Sequence, residues 1–168
     1  MNRLLHLMSP RRMPLLMAVA CILAVAAAMS LQQVFDYRPC PWCILQRMIF
    51  LTIALLGIAT ALAPWRHVRI GLNVATLVLA VLGICAAVYQ HEVAAKMYSC
   101  NLTFADKLIS ALGVESLWPA LFQVTATCAE AAVKLLGVPF EYWSMTLFAL
   151  LALASAALML RAVRVQGS

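Results

Sequence analysis

The sequence predicts an all-α protein, a four-helix transmembrane bundle with one long loop outside the membrane. Three observations predict it. The composition is 65% hydrophobic and only 11% charged, and the mean hydropathy is +0.97, whereas soluble domains carry about a quarter charged residues. The apolar residues gather into long uncharged runs, and the basic residues are distributed unevenly between the segments that join them.

The uncharged runs define the transmembrane spans. They cover residues 13–35, 48–65, 70–90 and 142–160. Each is close to the about 20 residues that cross a bilayer as a helix, and helix is the default because backbone groups in lipid must be satisfied within the segment. None alternates with the period of a barrel strand. We therefore place spans at about 14–33, 42–63, 70–90 and 142–161, within a single integral membrane domain, 1–168.

The first run also resembles a signal peptide, because Arg3, Arg11 and Arg12 precede it and small residues follow at 26–28. A cleaved signal, however, has an apolar core of only about 7–15 residues. We expect a retained anchor, and either choice leaves the remaining topology unchanged.

The charges predict the orientation. With the N-terminus inside, seven basic residues lie on the inner side: Arg3, Arg11, Arg12, Arg66, Arg69, Arg161 and Arg164. The outer side receives fewer basic residues and every acid: Asp36, Glu92, Asp106, Glu115, Glu130 and Glu141. The positive-inside rule then places both termini in the cytoplasm. The net charge of +6 therefore needs no nucleic acid partner to explain it.

Two outer loops follow from this topology, at about 34–41 and 91–141. The long one contains an apolar stretch, 117–124, with Trp118, Leu121 and Phe122. We interpret this stretch as a short interfacial helix, because tryptophan favours the membrane surface. Packing onto the ends of the bundle is the alternative.

Six cysteines divide into two groups. Cys21 and Cys85 lie in the middle of apolar spans, where cysteine behaves as a small hydrophobe. The other four all fall on the outer side: Cys40, Cys43, Cys100 and Cys128. Outside a bacterial inner membrane the compartment is oxidising, so we expect these four thiols to form two disulfides.

Three interpretations of the outer cysteines compete. In the first, both disulfides are structural staples. A Cys100–Cys128 bridge would then stabilise the fold by about 3–4 kcal/mol through chain entropy, whereas a Cys40–Cys43 bridge closes almost no loop and stabilises it little. A four-thiolate zinc site is the second, and thiol–disulfide exchange is the third. The small stabilising value of a Cys40–Cys43 bridge favours a redox role for that pair. Ile44 replaces the histidine that haem attachment requires, and no βαβ pattern suggests a thioredoxin fold.

The surroundings of Cys43 suit a reactive thiol. Pro41 is typical of a first helical turn, which places Cys43 near the positive end of the helix dipole. Arg47 follows one turn later on the same face, about 6 Å along the axis, although a snorkelling arginine at the interface is the alternative. His91, at the outer end of the third span, is a weaker candidate for a residue of the same site.

The electrons of an outward-facing dithiol need an acceptor. The sequence contains no flavin or dinucleotide fingerprint and no glycine-rich phosphate loop. A lipid-soluble quinone fits a site at the bilayer edge, where Arg47 would stabilise negative charge on the quinone oxygen. We expect no metal, flavin or haem.

The motif Cys40-Pro41-Trp42-Cys43-Ile44-Leu45-Gln46-Arg47 resembles the signature of the DsbB family, bacterial inner-membrane thiol:quinone oxidoreductases. Tyr89-Gln90-His91 and Cys128-Ala129-Glu130 also agree with the family, as does Leu136-Gly137-Val138-Pro139. The resemblance extends over nearly the whole chain. It implies a multi-pass protein of the cell inner membrane with a periplasmic loop, which reoxidises a DsbA-like periplasmic thiol oxidase using ubiquinone or menaquinone.

The resemblance also implies individual roles. Cys100 would take the mixed disulfide with the soluble oxidase, and Cys128 would then resolve toward Cys40. The two disulfides of the relay would be Cys40–Cys43 and Cys100–Cys128, and the sequence leaves open which pairing predominates at rest. Cys43 would form a charge-transfer complex or adduct with the quinone, assisted by Arg47, with His91 near the ring. The alternative from another class is a non-catalytic membrane scaffold with an outer loop stapled by disulfides.

Overall fold

A computed structural model of the protein describes residue 9, residues 11–96 and residues 103–164. Four of its helices, numbered in chain order, are long and apolar enough to cross a membrane: α1 (Arg12–Phe35), α2 (Pro41–Leu62), α3 (Arg66–Glu92) and α7 (Phe140–Arg164). This confirms the predicted all-α bundle of four spans.

Helices α3 and α7 extend beyond both ends of the apolar runs that predicted them. α3 begins at Arg66, where the run predicted a start near residue 70, and the backbone N–H of Arg69 already donates to the carbonyl of Trp65 at 3.2 Å. Hydropathy marks only the part of a helix that lies in hydrocarbon. Polar residues continue the helix on either side of that part, because the backbone hydrogen bonds do not depend on the side chain.

The four long helices pack in a chain of neighbours, with α1 on α2, α2 on α3 and α3 on α7. At the centre, the rings of Phe50 and Phe148 stack with centroids 4.0 Å apart. Gly83 makes room for this stack, since a Cβ there would lie 2.5 Å from the Phe148 ring. Gly57 likewise lets α2 approach α1, because a Cβ would lie 2.6 Å from the Pro14 carbonyl oxygen. Close packing of this kind is what associates helices in lipid.

Short elements fill the outer segment between α3 and α7. In order they are a 3₁₀ turn (Ala94–Lys96), α4 (Phe104–Leu112), α5 (Val114–Leu117), α6 (Pro119–Phe122), β1 (Lys134–Leu135) and β2 (Val138–Pro139). α4 starts with a capping box, in which the Thr103 hydroxyl accepts from the Asp106 N–H and the Asp106 carboxylate accepts from the Thr103 N–H. It ends at Gly113, whose φ of +62° is readily adopted only by glycine.

The helix predicted over 117–124 is interrupted. Trp118 has φ −149° and ψ 81°, which ends α5 and begins α6, because the residue before a proline is driven out of the helical region. Leu121 is buried in the core of the bundle, whereas Trp118 is 61% exposed. The segment therefore packs onto the bundle end through Leu121, which is the alternative that the sequence left open.

The structure also contains a two-stranded antiparallel hairpin that the sequence analysis missed. β1 pairs with β2 so that Lys134 lies opposite Pro139, and the turn is formed by Leu136 and Gly137, both with positive φ. Two central residues with φ > 0 are the geometry of a tight hairpin turn. The hairpin leads directly into α7 at Phe140 and fixes where that helix begins.

Candidate functional site

The cysteine pair is built into the start of α2. Cys40 is the N-cap residue, with an extended backbone, and its Sγ accepts from the backbone N–H of Cys43 at 3.4 Å. Pro41 occupies the first helical turn, as predicted. The Sγ atoms of Cys40 and Cys43 are 2.8 Å apart, and both residues are free thiols in this structure. The Cys40–Cys43 disulfide therefore stays a prediction.

The outer segment brings a third sulfur to this pair. The backbone N–H groups of Thr125 and Ala126 both donate to the carbonyl of Pro39, at 3.1 and 3.3 Å. This attachment brings Cys128 into the same buried cluster as Cys40. Cys40 thus lies between Cys43 and Cys128. Cys100 lies outside the described residues, so the Cys100–Cys128 disulfide stays a prediction.

Cys128 lies in a turn that is closed by reciprocal hydrogen bonds between Thr127 and Glu130. The Glu130 carboxylate accepts from the backbone N–H and the hydroxyl of Thr127, at 2.8 and 2.9 Å, while the Thr127 hydroxyl accepts from the Glu130 N–H at 3.3 Å. These bonds enclose the turn that contains Cys128, in the manner of a capping box. They also hold the pKa of Glu130 below its usual value, because the Thr127 N–H and hydroxyl stabilise the carboxylate.

The two sulfurs outside the spans differ in their electrostatics. Burial raises the pKa of the Cys40 thiol well above its usual value, and its hydrogen bonds to Cys128 and Cys43 raise it further. The hydrogen bond from Cys40 lowers the pKa of Cys128. Cys40 is therefore the protonated donor and Cys128 the better thiolate. This polarity belongs to the reduced form, in which Cys40 carries a proton and Cys128 is the more reactive of the two toward an electrophile.

A pair of buried amides supports Cys43 from the other side. Gln46 Nε2 donates to Gln90 Oε1 at 2.7 Å, and Gln90 Nε2 donates to Cys43 Sγ at 3.4 Å. Both glutamines are only 4% exposed, so the first bond fixes the orientation of the second amide. Neither glutamine is among the site residues that the sequence predicts. A polar side chain within a membrane span is costly in free energy and usually has a specific partner. This is the sequence signal by which both glutamines could have been found.

Arg47 is buried inside the bundle. Its side chain is 7% exposed, and Nη1 donates to Gln32 Oε1 and to the Leu121 carbonyl oxygen, both at 3.1 Å. Within the part of the chain that the structure describes, Arg47 forms no ion pair with a carboxylate. The guanidinium ties α1, α2 and α6 together, so the alternative of an arginine that snorkels to the interface is wrong.

A cavity of about 220 Å³ lies between α1, α2, α3 and α7, beside Cys43 and Arg47. Most of its wall is apolar: Ala24, Val25, Ala27, Ala28, Leu31, Phe50, Leu135, Phe140, Trp143 and Leu147. The polar part of the wall is small: Cys43, Gln46, Arg47, Gln90, Glu141 and Ser144. A largely apolar cavity with a few convergent polar groups is typical of a small-molecule site.

His91 does not line the cavity but contacts Glu141, which does. Its Nδ1 lies 2.8 Å from Glu141 Oε1, and its ring centroid lies 4.8 Å from that of Tyr142. Glu141 itself is 5% exposed and reaches the wall from the first turn of α7. In the sequence, Glu141 is only one of the six outer acids. The structure thus places Glu141 between His91 and the cavity.

The two remaining cysteines within spans differ in their surroundings. Cys21 is completely buried in the core that α1 forms with α2. Cys85 lies on the exposed face of α3. Neither borders the cavity.

Comparison with known proteins places this site in a family. The family model described as disulfide bond formation protein DsbB matches residues 10–158, a range that includes all four outer cysteines. The chain belongs to the DsbB family. DsbB proteins are multi-pass membrane proteins of disulfide bond formation, which agrees with the four spans and with the cluster of thiols at the start of α2.

Individual relatives within the DsbB family agree over most of their length. The chain is 32% identical to disulfide bond formation protein B 1 of Pseudomonas entomophila over 141 residues, 83% of this chain and 84% of the relative. It is 32% identical to the protein of the same name from Pseudomonas syringae pv. syringae, over 94% of each chain. For disulfide bond formation protein B of Dechloromonas aromatica, the identity is 31% over 79% of this chain and 82% of the relative. These matches confirm the predicted family and imply an oxidoreductase.

Proposed function

We propose that this protein reoxidises a DsbA-like periplasmic dithiol oxidase and passes the electrons, through two cysteine pairs, to a quinone of the inner membrane. The observation that carries the proposal is the cavity beside Cys43 and Arg47. Its apolar wall suits a lipid-soluble ring, and its polar groups converge at one end. Glu141 Oε2, which has no hydrogen-bond partner among the described residues, adds a polar atom that a ligand can satisfy.

The first half of the reaction is thiol–disulfide exchange. A thiolate of the soluble partner attacks Cys100 of the Cys100–Cys128 disulfide and releases Cys128 as a thiolate. Cys128 then attacks Cys40 of the Cys40–Cys43 disulfide, so that a Cys128–Cys40 bond forms and Cys43 leaves. The second thiol of the partner resolves the mixed disulfide, and the freed Cys100 attacks Cys128, which restores that pair and leaves Cys40 and Cys43 reduced. The partner has lost two electrons, and the α2 pair has gained them.

The described contacts support the central exchange. Cys128 belongs to the same buried cluster as Cys40, so the thiolate released at Cys128 lies close to the sulfur that it attacks. Cys40 lies 2.8 Å from Cys43 on its other side. The order of the three sulfurs is therefore the order in which the exchange uses them.

The second half moves two electrons from the α2 pair to the quinone. A quinone supplies a two-electron, two-proton acceptor, and it provides driving force because a DsbA-type oxidase is itself a strong oxidant, at about −120 mV. Cys43 borders the cavity, Gln90 donates a hydrogen bond to its sulfur, and Arg47 supplies a fixed positive charge in the same wall. These groups stabilise negative charge on the sulfur and on a bound oxygen.

The proposed orientation has both termini in the cytoplasm and the outer segment in the periplasm. It is supported by the charges, because all six acids belong to the side that holds the cysteine cluster. The soluble partner then meets Cys100 and Cys128 from the periplasm.

Replacement of Cys43 tests the proposed function. In quinone-dependent oxidation of a reduced dithiol oxidase, we expect Cys43→Ser to lose turnover and Cys85→Ser, on the exposed face of α3, to keep it. Turnover by Cys43→Ser at the rate of Cys85→Ser would refute the electron route through Cys43. Absence of quinone-dependent oxidation by the unmodified protein would leave the disulfide-stapled scaffold as the better account.

A further inference from the structure

We infer that Glu141 is the proton donor to the quinone oxygen at the Cys43 site, and that His91 supplies Glu141 with protons from the outer surface. This inference rests on the proposed function, since it adds the proton pathway to the proposed electron pathway.

The first observation is the position of Glu141. Its side chain is 5% exposed, and it shares the cavity wall with Cys43 and Arg47. Oε2 is buried and has no hydrogen-bond partner among the described residues. A buried carboxyl oxygen left unpaired costs free energy, so a fold that retains one has a use for it. In a cavity that takes a quinone, the available use is a hydrogen bond to the quinone oxygen.

The second observation is a path from Glu141 to the surface. The other oxygen, Oε1, lies 2.8 Å from His91 Nδ1. His91 Nε2 lies 4.0 Å from Glu92 Oε1, and the side chains of His91 and Glu92 are 31% and 58% exposed. Glu92 in turn forms an ion pair with Lys96 at 2.9 Å. The chain of groups therefore leads from the cavity wall to a charged, exposed end of α3.

The reaction requires such a path. When the Cys40–Cys43 disulfide forms, two S–H groups are lost and two electrons pass to the quinone, which becomes a quinol by taking two protons. Glu141 gives one proton to the quinone oxygen beside it and is reprotonated through His91, and the second quinone oxygen takes its proton from water. The two thiol protons return to water, so no net proton is gained or lost. Histidine and glutamate are the usual residues for such proton transfer.

The charged groups around Glu141 are few. His91 faces it from α3, with Glu92 beyond, and Cys43 and Arg47 share the wall from α2. From α1 and the hairpin, only uncharged side chains border the cavity in the described part of the chain. A change in the pH dependence of quinone reduction when Glu141 is replaced therefore belongs to the Glu141–His91 pair.

The test separates binding from proton transfer. Trp143 borders the cavity, so quenching of tryptophan fluorescence by a short-chain ubiquinone reports binding without turnover. Stopped-flow mixing of the reduced protein with the same quinone reports a single reduction. We expect Glu141→Gln, which keeps the shape but cannot pass a proton, to bind within about twofold of the unmodified protein. Its reduction step should slow by about 10²-fold, the lower end of general-acid catalysis, and should slow further as pH rises because water then supplies the proton.

Controls make the outcomes distinct. Asp36→Asn removes an exposed outer carboxylate and should leave both measurements unchanged. His91→Asn keeps an amide donor near the position of Nδ1 and should slow reduction while quinone binding is retained, which preserves the test if Glu141→Gln fails to fold. Reduction by Glu141→Gln within threefold of the unmodified rate, or loss of quinone binding together with rate, would overturn the role of Glu141. Failure of the unmodified protein to reduce the quinone would instead refute the proposed function.

Discussion

Replacement of Gln90 by leucine separates two effects of one side chain. Gln90 accepts from Gln46 and donates to Cys43 Sγ. Gln90→Leu therefore leaves Gln46 Nε2 buried without an acceptor, which costs about 1–3 kcal/mol in the free energy of unfolding. The double variant Gln46→Leu/Gln90→Leu removes both partners, and replacing both partners of a buried hydrogen bond by apolar groups is nearly neutral. We expect the double variant to regain most of the stability that the single variant loses.

Catalysis should not recover with stability. Both variants lack the N–H that points at Cys43 Sγ, and a hydrogen bond to a charged group is worth about 1.5–3 kcal/mol. At 1.36 kcal/mol per factor of ten in rate, the quinone step should slow by about 10- to 100-fold in both. Stability is measured by denaturant unfolding in detergent, and the quinone step by stopped flow. A double variant that is no more stable than Gln90→Leu, or that reduces quinone at the unmodified rate, would refute the role of the amide pair.

Three further predictions concern the charges and the topology. Arg47→Leu should lower turnover and raise the quinone KM in steady-state assays, and an unchanged KM would count against Arg47 as a quinone contact. Because the hydrogen bond from Cys40 lowers the pKa of Cys128, Cys40→Ala should move the pH dependence of Cys128 alkylation, followed by mass spectrometry, to higher pH. Cys40→Ser, which keeps a donor, should move it less, and identical profiles in the two variants would contradict the contact. After reduction, a membrane-impermeant alkylating reagent should reach Cys100 and Cys128 from the periplasm; labelling only from the cytoplasm would overturn the orientation.

The sequence predicted the features that depend on local pattern. Long apolar runs determined the four spans, because a helix in lipid must be both long and uncharged. The spacing of Cys40, Cys43 and Arg47 predicted that Cys43 and Arg47 lie on one face at the start of α2, and the structure places both in the cavity wall. These predictions need only helical periodicity and knowledge of where a helix begins.

Features that depend on tertiary contact were missed. Gln46 and Gln90 belong to different spans, and nothing in either local sequence indicates that their amides meet. Glu141 was counted as a loop acid because the apolar run starts after it. The hairpin begins α7 at Phe140 instead, and this places Glu141 in the first helical turn, where it reaches the cavity.

The outer segment likewise contains features that local sequence marks and one that only tertiary packing determines. The capping box of Thr103 and Asp106 is a local signal that marks the start of α4, and the proline after Trp118 marks the break between α5 and α6. The attachment of Thr125 and Ala126 to Pro39, which brings Cys128 to Cys40, follows only from packing against the end of the bundle.

The central claim is that the Cys40–Cys43 pair gives its electrons to a quinone in the adjoining cavity. The most direct measurement is an anaerobic single turnover of the fully reduced protein with excess short-chain ubiquinone, with quinol followed by absorbance and each remaining thiol identified by mass spectrometry. Our account predicts one quinol for each pair of thiols lost, with Cys40 and Cys43 oxidised together and no quinol from Cys43→Ser. Quinol formation in Cys43→Ser, or loss of these two thiols without quinol, would contradict it.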